Sequence, residues 1–171
     1  DKKLKRKVDQ LIESNLFNFG KNDERFIRSI YGEGLRKYIN RLKAINFLNK
    51  DLILDAGCGF GQWSLSLLNL NKSVLAIDAS RDRIDFVNKI TRELGLNSIK
   101  TKVSKLDSIS LPSGTFDGIF CYGVIFLTSW HDSLKELYRV LKPGGDIYIN
   151  ANGIGWFIHL WLTEHNKVLD Y

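Results

Sequence analysis

A glycine-rich loop follows a short apolar run in the stretch LILDAGCGFGQWS, residues 52–64. The run ends in Asp55, and Gly57, Gly59 and Gly61 come next at every second position. Glycine reaches backbone conformations that other residues avoid, and it lets a ligand come close to the main chain. A loop of this kind between a strand and a helix is typical of nucleotide-binding α/β proteins. The stretch therefore favours a parallel sheet with a ligand site above the loop.

Short apolar runs alternate with amphipathic stretches from Leu52 onward, which is the pattern of a parallel sheet covered by helices on both faces. The runs predict strands at residues 52–56, 73–78, 98–103, 118–123 and 146–150. The amphipathic stretches predict helices at about 61–70, 81–95, 131–141 and 154–166. Because crossovers between parallel strands are right-handed, the expected fold class is a doubly wound α/β sheet, mostly parallel. Ligands of such sheets bind beyond the carboxyl ends of the strands.

The first fifty residues have a different character, because their apolar residues recur at helical spacing. One helical stripe consists of Leu4, Val8, Leu11, Ile12 and Leu16. A second helical region lies between residues 26 and 45, where Gly32 and Gly34 loosen the pattern. We expect residues 1–50 to form a helical lid and residues 51–171 to form the ligand-binding domain.

The net charge of +6 is concentrated in the amino-terminal segment. Residues 1–50 carry 13 Lys and Arg against 6 Asp and Glu, whereas residues 51–171 carry 12 against 13. Two interpretations of this excess are open. The positive residues form a solvated helix face, or they form a patch that binds an acidic substrate or nucleic acid. No apolar run reaches the roughly 20 residues of a membrane-spanning helix, so we expect a cytoplasmic protein. In that compartment Cys58 and Cys121 are expected to be reduced thiols.

The glycine spacing distinguishes between nucleotide ligands. A dinucleotide site needs G-x-G-x-x-G, but position 62 is Gln, and no Gly-Lys-Ser/Thr follows as in a phosphate-binding loop. Asp55 would repel a pyrophosphate at this place, and it suits a ligand with an ammonium group. Asp78 ends the next predicted strand, where a carboxylate can accept both hydroxyls of a ribose. The two acids point to a nucleoside with a cationic amino-acid tail, which is the composition of S-adenosylmethionine.

The motifs between Leu52 and Asn150 resemble, in order, those of the class I S-adenosylmethionine-dependent methyltransferases. LDAGCGFG is similar to the first motif of that family and AIDAS to the second. LDSISLP and FDGIFCYGVI are similar to the third and fourth, and LKELYRVLKPGGDIYI to the fifth. The resemblance implies a Rossmann-like fold and an enzyme that uses S-adenosylmethionine and releases S-adenosylhomocysteine.

The resemblance also implies a cofactor site of ten residues: Asp55, Gly57, Cys58, Gly59, Asp78, Ala79, Leu106, Asp107, Cys121 and Tyr122. The residues of the glycine loop and Asp55 would hold the methionine part. Asp78 would accept the ribose hydroxyls, with Ala79 beside the adenine. The pair Leu106 and Asp107 would bind the adenine ring and its amino group, and the pair at 121–122 would flank the sulfonium and the methyl-transfer path. Alternatively, Asp78 caps the helix that begins at residue 81, and Asp107 caps a turn.

The sequence departs from the family pattern in two places. Phe126 stands where many relatives have a His, so no catalytic residue is assigned. The chain also ends soon after the fifth predicted strand, so we expect the antiparallel hairpin of that family to be missing and the domain to be incomplete at its carboxyl end. The alternative is that a partner covers the unpaired strand edge.

Several smaller patterns complete the prediction. The spacing of His131, His159 and His165 does not suit a metal ion, so no metal site is predicted. Ser129 and Asp132 are expected to form a capping box for the following helix. The aromatic residues between 156 and 161 are expected to lie in the core or in the wall of a substrate pocket.

Three hypotheses about function remain open, because the acceptor lies outside the matched motifs. The first is methyl transfer to a small molecule, with Tyr31 or Arg36 of the lid reaching the cofactor carboxylate. The second is an RNA-directed methyltransferase that places the basic amino-terminal segment on phosphates. The third is a non-catalytic cofactor-binding protein of the same fold. An NAD-dependent oxidoreductase is the residual alternative.

Overall fold

The computed structural model describes residues 2–14, 17 and 19–150 of the chain. Three helices come first: α1 (Lys2–Glu13), α2 (Lys21–Gly32) and α3 (Arg36–Ala44). Strands and helices then alternate as β1 (Leu52–Ala56), α4 (Gln62–Leu68), β2 (Ser73–Asp78), α5 (Arg81–Leu94), β3 (Ile99–Val103), β4 (Phe116–Tyr122), α6 (Trp130–Val140) and β5 (Leu141–Asn150). A short 3-10 helix, Ile125–Leu127, separates β4 from α6.

All neighbouring strands are parallel, and their order in the sheet is β3-β2-β1-β4-β5. The chain adds β2 and β3 on one side of β1, and then β4 and β5 on the other side. The direction of winding therefore reverses between β1 and β4, as in the doubly wound fold that the sequence predicts. In such sheets the ligand site lies at this switch point, beyond Ala56 and Tyr122.

Side chains alternate between the two faces of the sheet, so that each strand contributes to two separate cores. In β1, Ile53 belongs to one hydrophobic cluster and Leu54 to the other. The first cluster joins the sheet to α4, α5 and the three amino-terminal helices, and the second contains the buried residues of α6. Residues of α1, α2 and α3 thus share a core with the sheet, and the lid function of residues 1–50 stays a prediction.

Besides shifts of one or two residues at the ends of other elements, the structure differs from the sequence-based expectations in three places. The helical region predicted between 26 and 45 is two helices, since Gly34 turns the chain with a φ of +74° after α2. β5 begins at Leu141, because Leu141 pairs with Phe116 before an irregularity, and regular pairing resumes at Asp146. The predicted capping box is wrong: the Ser129 hydroxyl donates to the Asp132 carboxylate at 2.9 Å and accepts no backbone N–H.

The helix predicted at 154–166, its aromatic residues and the chain beyond β5 lie outside the described residues, so those expectations stay predictions. None of the helices in the described part of the chain combines the length and the apolar character needed to cross a bilayer.

Candidate functional site

The glycine loop lies at the end of β1, directly at the switch point of the sheet. Gly57, Gly59 and Gly61 have φ angles of +79°, +55° and +84°, in the left-handed region that favours glycine. A Cβ on Gly57 would lie 2.5 Å from Cγ1 of Val124, which leaves no room for a side chain. The backbone N–H groups of residues 57 and 58 donate to the Ile77 carbonyl, each at 2.9 Å. The loop is therefore held against β2 and against the segment that follows β4.

Asp78, at the end of β2, fixes the middle of this loop. Its Oδ2 accepts a hydrogen bond from the Gly59 N–H at 2.9 Å, and its Oδ1 accepts one from the Ser80 N–H at 2.9 Å. Ser80 is the N-cap of α5, where its hydroxyl accepts the Arg83 N–H, so the alternative in which Asp78 is that N-cap is wrong. Each carboxylate oxygen has further lone pairs, so Asp78 can still accept the hydroxyls of a ribose.

Asp55 of β1 lies on the same face of the sheet as Asp78. It pairs with Ala76, and alternate residues of a strand, such as Ala76 and Asp78, point to one face. Its side chain is almost fully buried, and its Oδ2 accepts a hydrogen bond from the Ser64 hydroxyl of α4. The pKa of Asp55 is raised to about 7, mainly by burial and to a smaller extent by the charge of Asp78, while the Ser64 hydrogen bond acts in the opposite direction.

In the part of the chain that the structure describes, no salt bridge includes Asp55 or Asp78. An ammonium group bound above the loop would supply the missing positive charge and would favour the ionised form of Asp55.

A buried acceptor next to the loop also lacks a donor. Oε1 of Gln62, the first residue of α4, is buried and has no hydrogen-bond partner among the residues that the structure describes. Buried polar atoms of folded proteins are almost always hydrogen-bonded. The unsatisfied acceptor and the two acids together fit a ligand that brings hydrogen-bond donors and a positive charge.

The two cysteines are free thiols in environments that oppose covalent catalysis. Burial raises the pKa of Cys58 well above its usual value, and the charges of Asp55 and Asp78 raise it further. Burial raises the pKa of Cys121 to about 12. Because a nucleophilic cysteine needs a lowered pKa, neither thiol suits that role. The Cys121 side chain packs in the cluster that contains α6, so its backbone is the part that can face a ligand at the loop.

Tyr122, the last residue of β4, lies on the same face as Asp55, because Asp55 pairs with Phe120. Its ring packs on Trp63 of α4, with 4.8 Å between the ring centroids. Its hydroxyl accepts a hydrogen bond from Nη1 of Arg41 at 2.9 Å. Arg41 is not among the residues predicted from the sequence, because nothing in the helical periodicity of α3 connects it to a residue 81 positions later.

Leu106 and Asp107 follow β3 at the other end of the site. Leu106 is buried in the cluster that contains α6, and Asp107 is partly exposed. The Asp107 Oδ1 accepts a hydrogen bond from the Ser108 hydroxyl at 3.2 Å. Ala79, which follows Asp78, is exposed. The roles of these residues toward an adenine stay predictions.

Arg139 of α6 holds the segment that carries Leu106 and Asp107. Its guanidinium donates to the carbonyl oxygens of Ile109 at 2.7 Å and Leu111 at 2.8 Å. Glu136 accepts the Ile109 N–H at 2.8 Å and pairs with Arg139 at 2.7 Å. No local sequence pattern indicates this clamp, because it joins residues that are far apart along the chain.

The two lid residues assigned to a cofactor carboxylate lie in different environments. The Tyr31 hydroxyl donates to the Phe60 carbonyl at 2.6 Å inside the core, and burial raises the pKa of Tyr31. The Tyr31 hydroxyl proton is therefore already donated within the protein and is not free for a cofactor carboxylate. Arg36 is exposed at the start of α3 and remains available to a ligand.

The predicted site residues lie at the carboxyl ends of four neighbouring strands, in the order β3, β2, β1 and β4. The row begins with the 106–107 pair after β3 and ends with the 121–122 pair at β4. With strands about 4.8 Å apart, the row spans about 14 Å. Such a row suits an elongated ligand with its two ends on different strands.

The model of a methyltransferase domain family matches residues 53–145 of this chain. An uncharacterized methyltransferase of Schizosaccharomyces pombe is 41% identical over 120 residues, which cover 67% of this chain and 45% of that protein. A demethylmenaquinone methyltransferase of Oceanobacillus iheyensis is 26% identical over 110 residues, covering 62% and 46%. A tRNA U34 carboxymethyltransferase of Nautilia profundicola is 32% identical over 112 residues, covering 63% and 36%. The chain thus spans less than half the length of these relatives.

The fold is shared with solved structures. A protein of Pyrococcus horikoshii OT3 superimposes with a TM-score of 0.64 at 23% identity, over 80% of this chain and 66% of that chain. The likeness agrees with the Rossmann-like sheet described above.

Proposed function

The chain belongs to the methyltransferase domain family, and on that premise we propose that it transfers a methyl group from S-adenosylmethionine to a small-molecule acceptor. The observation that carries the proposal is the pair of carboxylates Asp55 and Asp78, placed on one face of adjacent strands around the glycine loop. Asp55 suits the ammonium group of the cofactor, and Asp78 suits the two hydroxyls of its ribose. A pyrophosphate ligand would meet two acidic side chains at the same place and would disfavour the ionised form of Asp55.

When bound, S-adenosylmethionine supplies a methyl group on a positively charged sulfur. Asp55 and the loop backbone of residues 57–59 would hold its amino-acid end, and Asp78 would hold the ribose. Leu106 and Asp107, together with Ala79, would surround the adenine. The backbone of Cys121 and the ring of Tyr122 would border the path of the methyl group.

Orientation is the main task of such a site. Holding the acceptor atom in line with the methyl group can contribute about 7–11 kcal/mol to lowering the barrier. A base is needed only where the acceptor must lose a proton, and we assign none. The Tyr122 ring that would border the methyl path is held by its packing on Trp63, with 4.8 Å between the ring centroids.

A small molecule is the proposed acceptor because, among the described residues, the Tyr122 ring at the end of β4 packs on Trp63 and lies beside Arg41 of α3, which suits a compact aromatic or apolar acceptor. A relative named for demethylmenaquinone, itself a small molecule, supports this choice.

Methylation of RNA is a second candidate, favoured by the surface of α1. Its residues Lys2, Lys3, Lys5 and Arg6 are exposed, and the salt bridges of the described residues include none of them. A relative named for tRNA U34 supports this candidate. It requires RNA affinity that falls steeply as salt concentration rises, because bound phosphates release counterions. RNA binding that is absent or insensitive to salt removes this candidate.

Calorimetric titration with S-adenosylmethionine, S-adenosylhomocysteine and NAD tests the proposed cofactor. We expect the first two to bind with one site per chain and NAD not to bind. Binding of NAD alone would overturn the proposal in favour of an oxidoreductase. Formation of S-adenosylhomocysteine with a panel of small acceptors and with total tRNA then tests turnover. Cofactor binding without turnover on any acceptor would instead support a non-catalytic cofactor-binding protein.

A further inference from the structure

We infer that Arg41 and Tyr122 form a subsite for an oxyanion, a carboxylate or a phosphate, carried by the small-molecule methyl acceptor. The inference rests on the proposed methyltransferase function, and it names the chemical class of the acceptor. The two residues meet at the carboxyl end of β4, next to the switch point of the sheet.

The hydrogen bond between the two side chains leaves donors available. Nη1 of Arg41 donates to the Tyr122 hydroxyl at 2.9 Å, so the tyrosine oxygen is the acceptor and its own proton can serve another bond. A guanidinium group has five N–H donors in a planar fork, and this bond uses one of them. A fork of N–H groups beside an O–H group matches the two oxygens of a carboxylate or phosphate.

Aromatic packing fixes the position of the pair. The guanidinium carbon of Arg41 lies 5.0 Å from the centroid of the Tyr122 ring. That ring packs on Trp63, and Trp63 packs edge-to-face on Tyr38 with 4.9 Å between centroids. Tyr38 and Arg41 lie three residues apart on α3 and therefore on one side of the helix. The donors are thus held in place before a ligand binds, which reduces the entropy lost on binding.

The charge of Arg41 is not neutralised within the described part of the chain. No carboxylate there lies within salt-bridge distance of its guanidinium, and Glu33, the acid that precedes α3, pairs with Lys37 at 2.7 Å. The acids of the site, Asp55 and Asp78, belong to β1 and β2, whereas Tyr122 belongs to β4 on the opposite side of β1. The site therefore has an acidic part for the cofactor and a basic part at its other end.

The alternative interpretation is that Arg41 binds the carboxylate of the cofactor and not an oxyanion of the acceptor. Two ligands distinguish these interpretations. S-adenosylhomocysteine has that carboxylate and 5′-methylthioadenosine lacks it. We expect Arg41→Gln to leave the ratio of their calorimetric affinities unchanged, and we expect the same of Lys43→Gln. Lys43 is the matched control, because it is an exposed cation of α3 that forms no salt bridge among the described residues. A selective loss of S-adenosylhomocysteine affinity in Arg41→Gln would overturn the inference.

The second arm measures binding of benzoate, phenyl phosphate and neutral benzyl alcohol to the full chain saturated with S-adenosylhomocysteine, at low ionic strength. We expect the two oxyanions to bind more tightly than the alcohol. Arg41→Gln should weaken them roughly tenfold or more, and Tyr122→Phe severalfold, since charge-assisted bonds are lost. Lys43→Gln should leave them unchanged. Oxyanion binding that is absent in the wild type, or equal in Arg41→Gln, would overturn the subsite.

The two proposals fail in different ways. A wild-type protein that does not bind S-adenosylhomocysteine contradicts the proposed function, whereas one that binds it but shows no Arg41-dependent oxyanion binding contradicts only the subsite. Because Arg41 is exposed, Arg41→Gln is expected to fold, and an unchanged thermal unfolding midpoint confirms this for each variant.

Discussion

The Asp78 carboxylate accepts a hydrogen bond from the Gly59 amide at 2.9 Å and so joins the end of β2 to the middle of the glycine loop. Its other oxygen accepts the amide of Ser80, which begins α5. One side chain thus shapes the loop and the helix start, and it keeps the lone pairs that a ribose needs. The local fold and the proposed cofactor site therefore share one residue.

Asp78→Ala should weaken S-adenosylhomocysteine binding at least about tenfold, because the ribose hydroxyls lose a charged acceptor and the loop loses its anchor. Isothermal titration calorimetry measures this directly. Asp82→Ala, an exposed acid in the first turn of α5, serves as the control and should bind like the wild type. Equal affinity in Asp78→Ala and Asp82→Ala would contradict the ribose assignment.

Gly57→Ala should destabilise the protein more than Gly59→Ala. A Cβ at position 57 would lie 2.5 Å from Val124, whereas one at position 59 would meet no atom within 4 Å. Both glycines have positive φ, so Gly59→Ala costs about 1–2 kcal/mol of unfolding free energy and Gly57→Ala about 2–5 kcal/mol. Denaturant unfolding measures the difference, and adding Val124→Ala to Gly57→Ala should restore part of the loss. The reverse order of the two single variants would be inconsistent with the packing described.

Asp55 should make the stability of the ligand-free protein depend on pH. Burial raises its pKa from 3.8 to about 7, so the folded state keeps a proton that the unfolded chain releases. The stability contributed by the protonated group is complete below about pH 4 and is lost as the pH rises through about 7. The loss amounts to at most about 4 kcal/mol. Asp55→Asn should show a smaller decline in the unfolding free energy over this window; an unchanged decline would assign it to other groups.

Cofactor affinity should depend on pH in the opposite direction. The ammonium group binds best to ionised Asp55, so S-adenosylhomocysteine affinity should rise between about pH 6 and about pH 8. Calorimetry in this range checks the slope. Asp55→Asn should bind weakly and without this rise, and a rise that persists in the variant would exclude Asp55 as its cause.

Arg139→Gln should loosen the segment after β3. The Arg139 guanidinium holds the carbonyl oxygens of Ile109 and Leu111, and these residues follow the predicted adenine contacts. We expect faster amide hydrogen exchange over residues 106–113 and a severalfold loss of adenosine affinity. Lys135→Gln is the control on α6, because Lys135 pairs only with Asp132 of its own helix in the described residues. Unchanged exchange in Arg139→Gln would show that the clamp is dispensable.

The first two strands were predicted from the sequence with their observed bounds, 52–56 and 73–78, because each is a continuous apolar run that ends in an acid or beside a glycine. β5 was predicted five residues too short. Its first pair, Leu141 with Phe116, precedes an irregularity around Pro143 and the two glycines that follow. Proline and glycine at residues 143–145 favour a turn at this place. The pairing of β5 with β4 on both sides of these residues is visible only in the sheet.

The burial of Asp55 was not visible in the sequence either. An acid at a strand end indicates a ligand contact, but its pKa depends on α4 and Ser64 lying over it. Likewise, the family resemblance implies that residues 121 and 122 both flank the methyl-transfer path. In the strand, their side chains lie on opposite faces of the sheet.

The five strands, the glycine loop and the acids at the strand ends can be predicted from the amino-acid sequence. These features are local, since periodicity and the backbone freedom of glycine act over a few residues. The hydrogen bond of Asp78 with the loop amide and that of Arg41 with Tyr122, across 81 positions, appear only in the folded chain. Such contacts depend on how α3 packs on α4 and how β4 joins β1. That packing is decided by the whole core at once and leaves no local pattern at either residue.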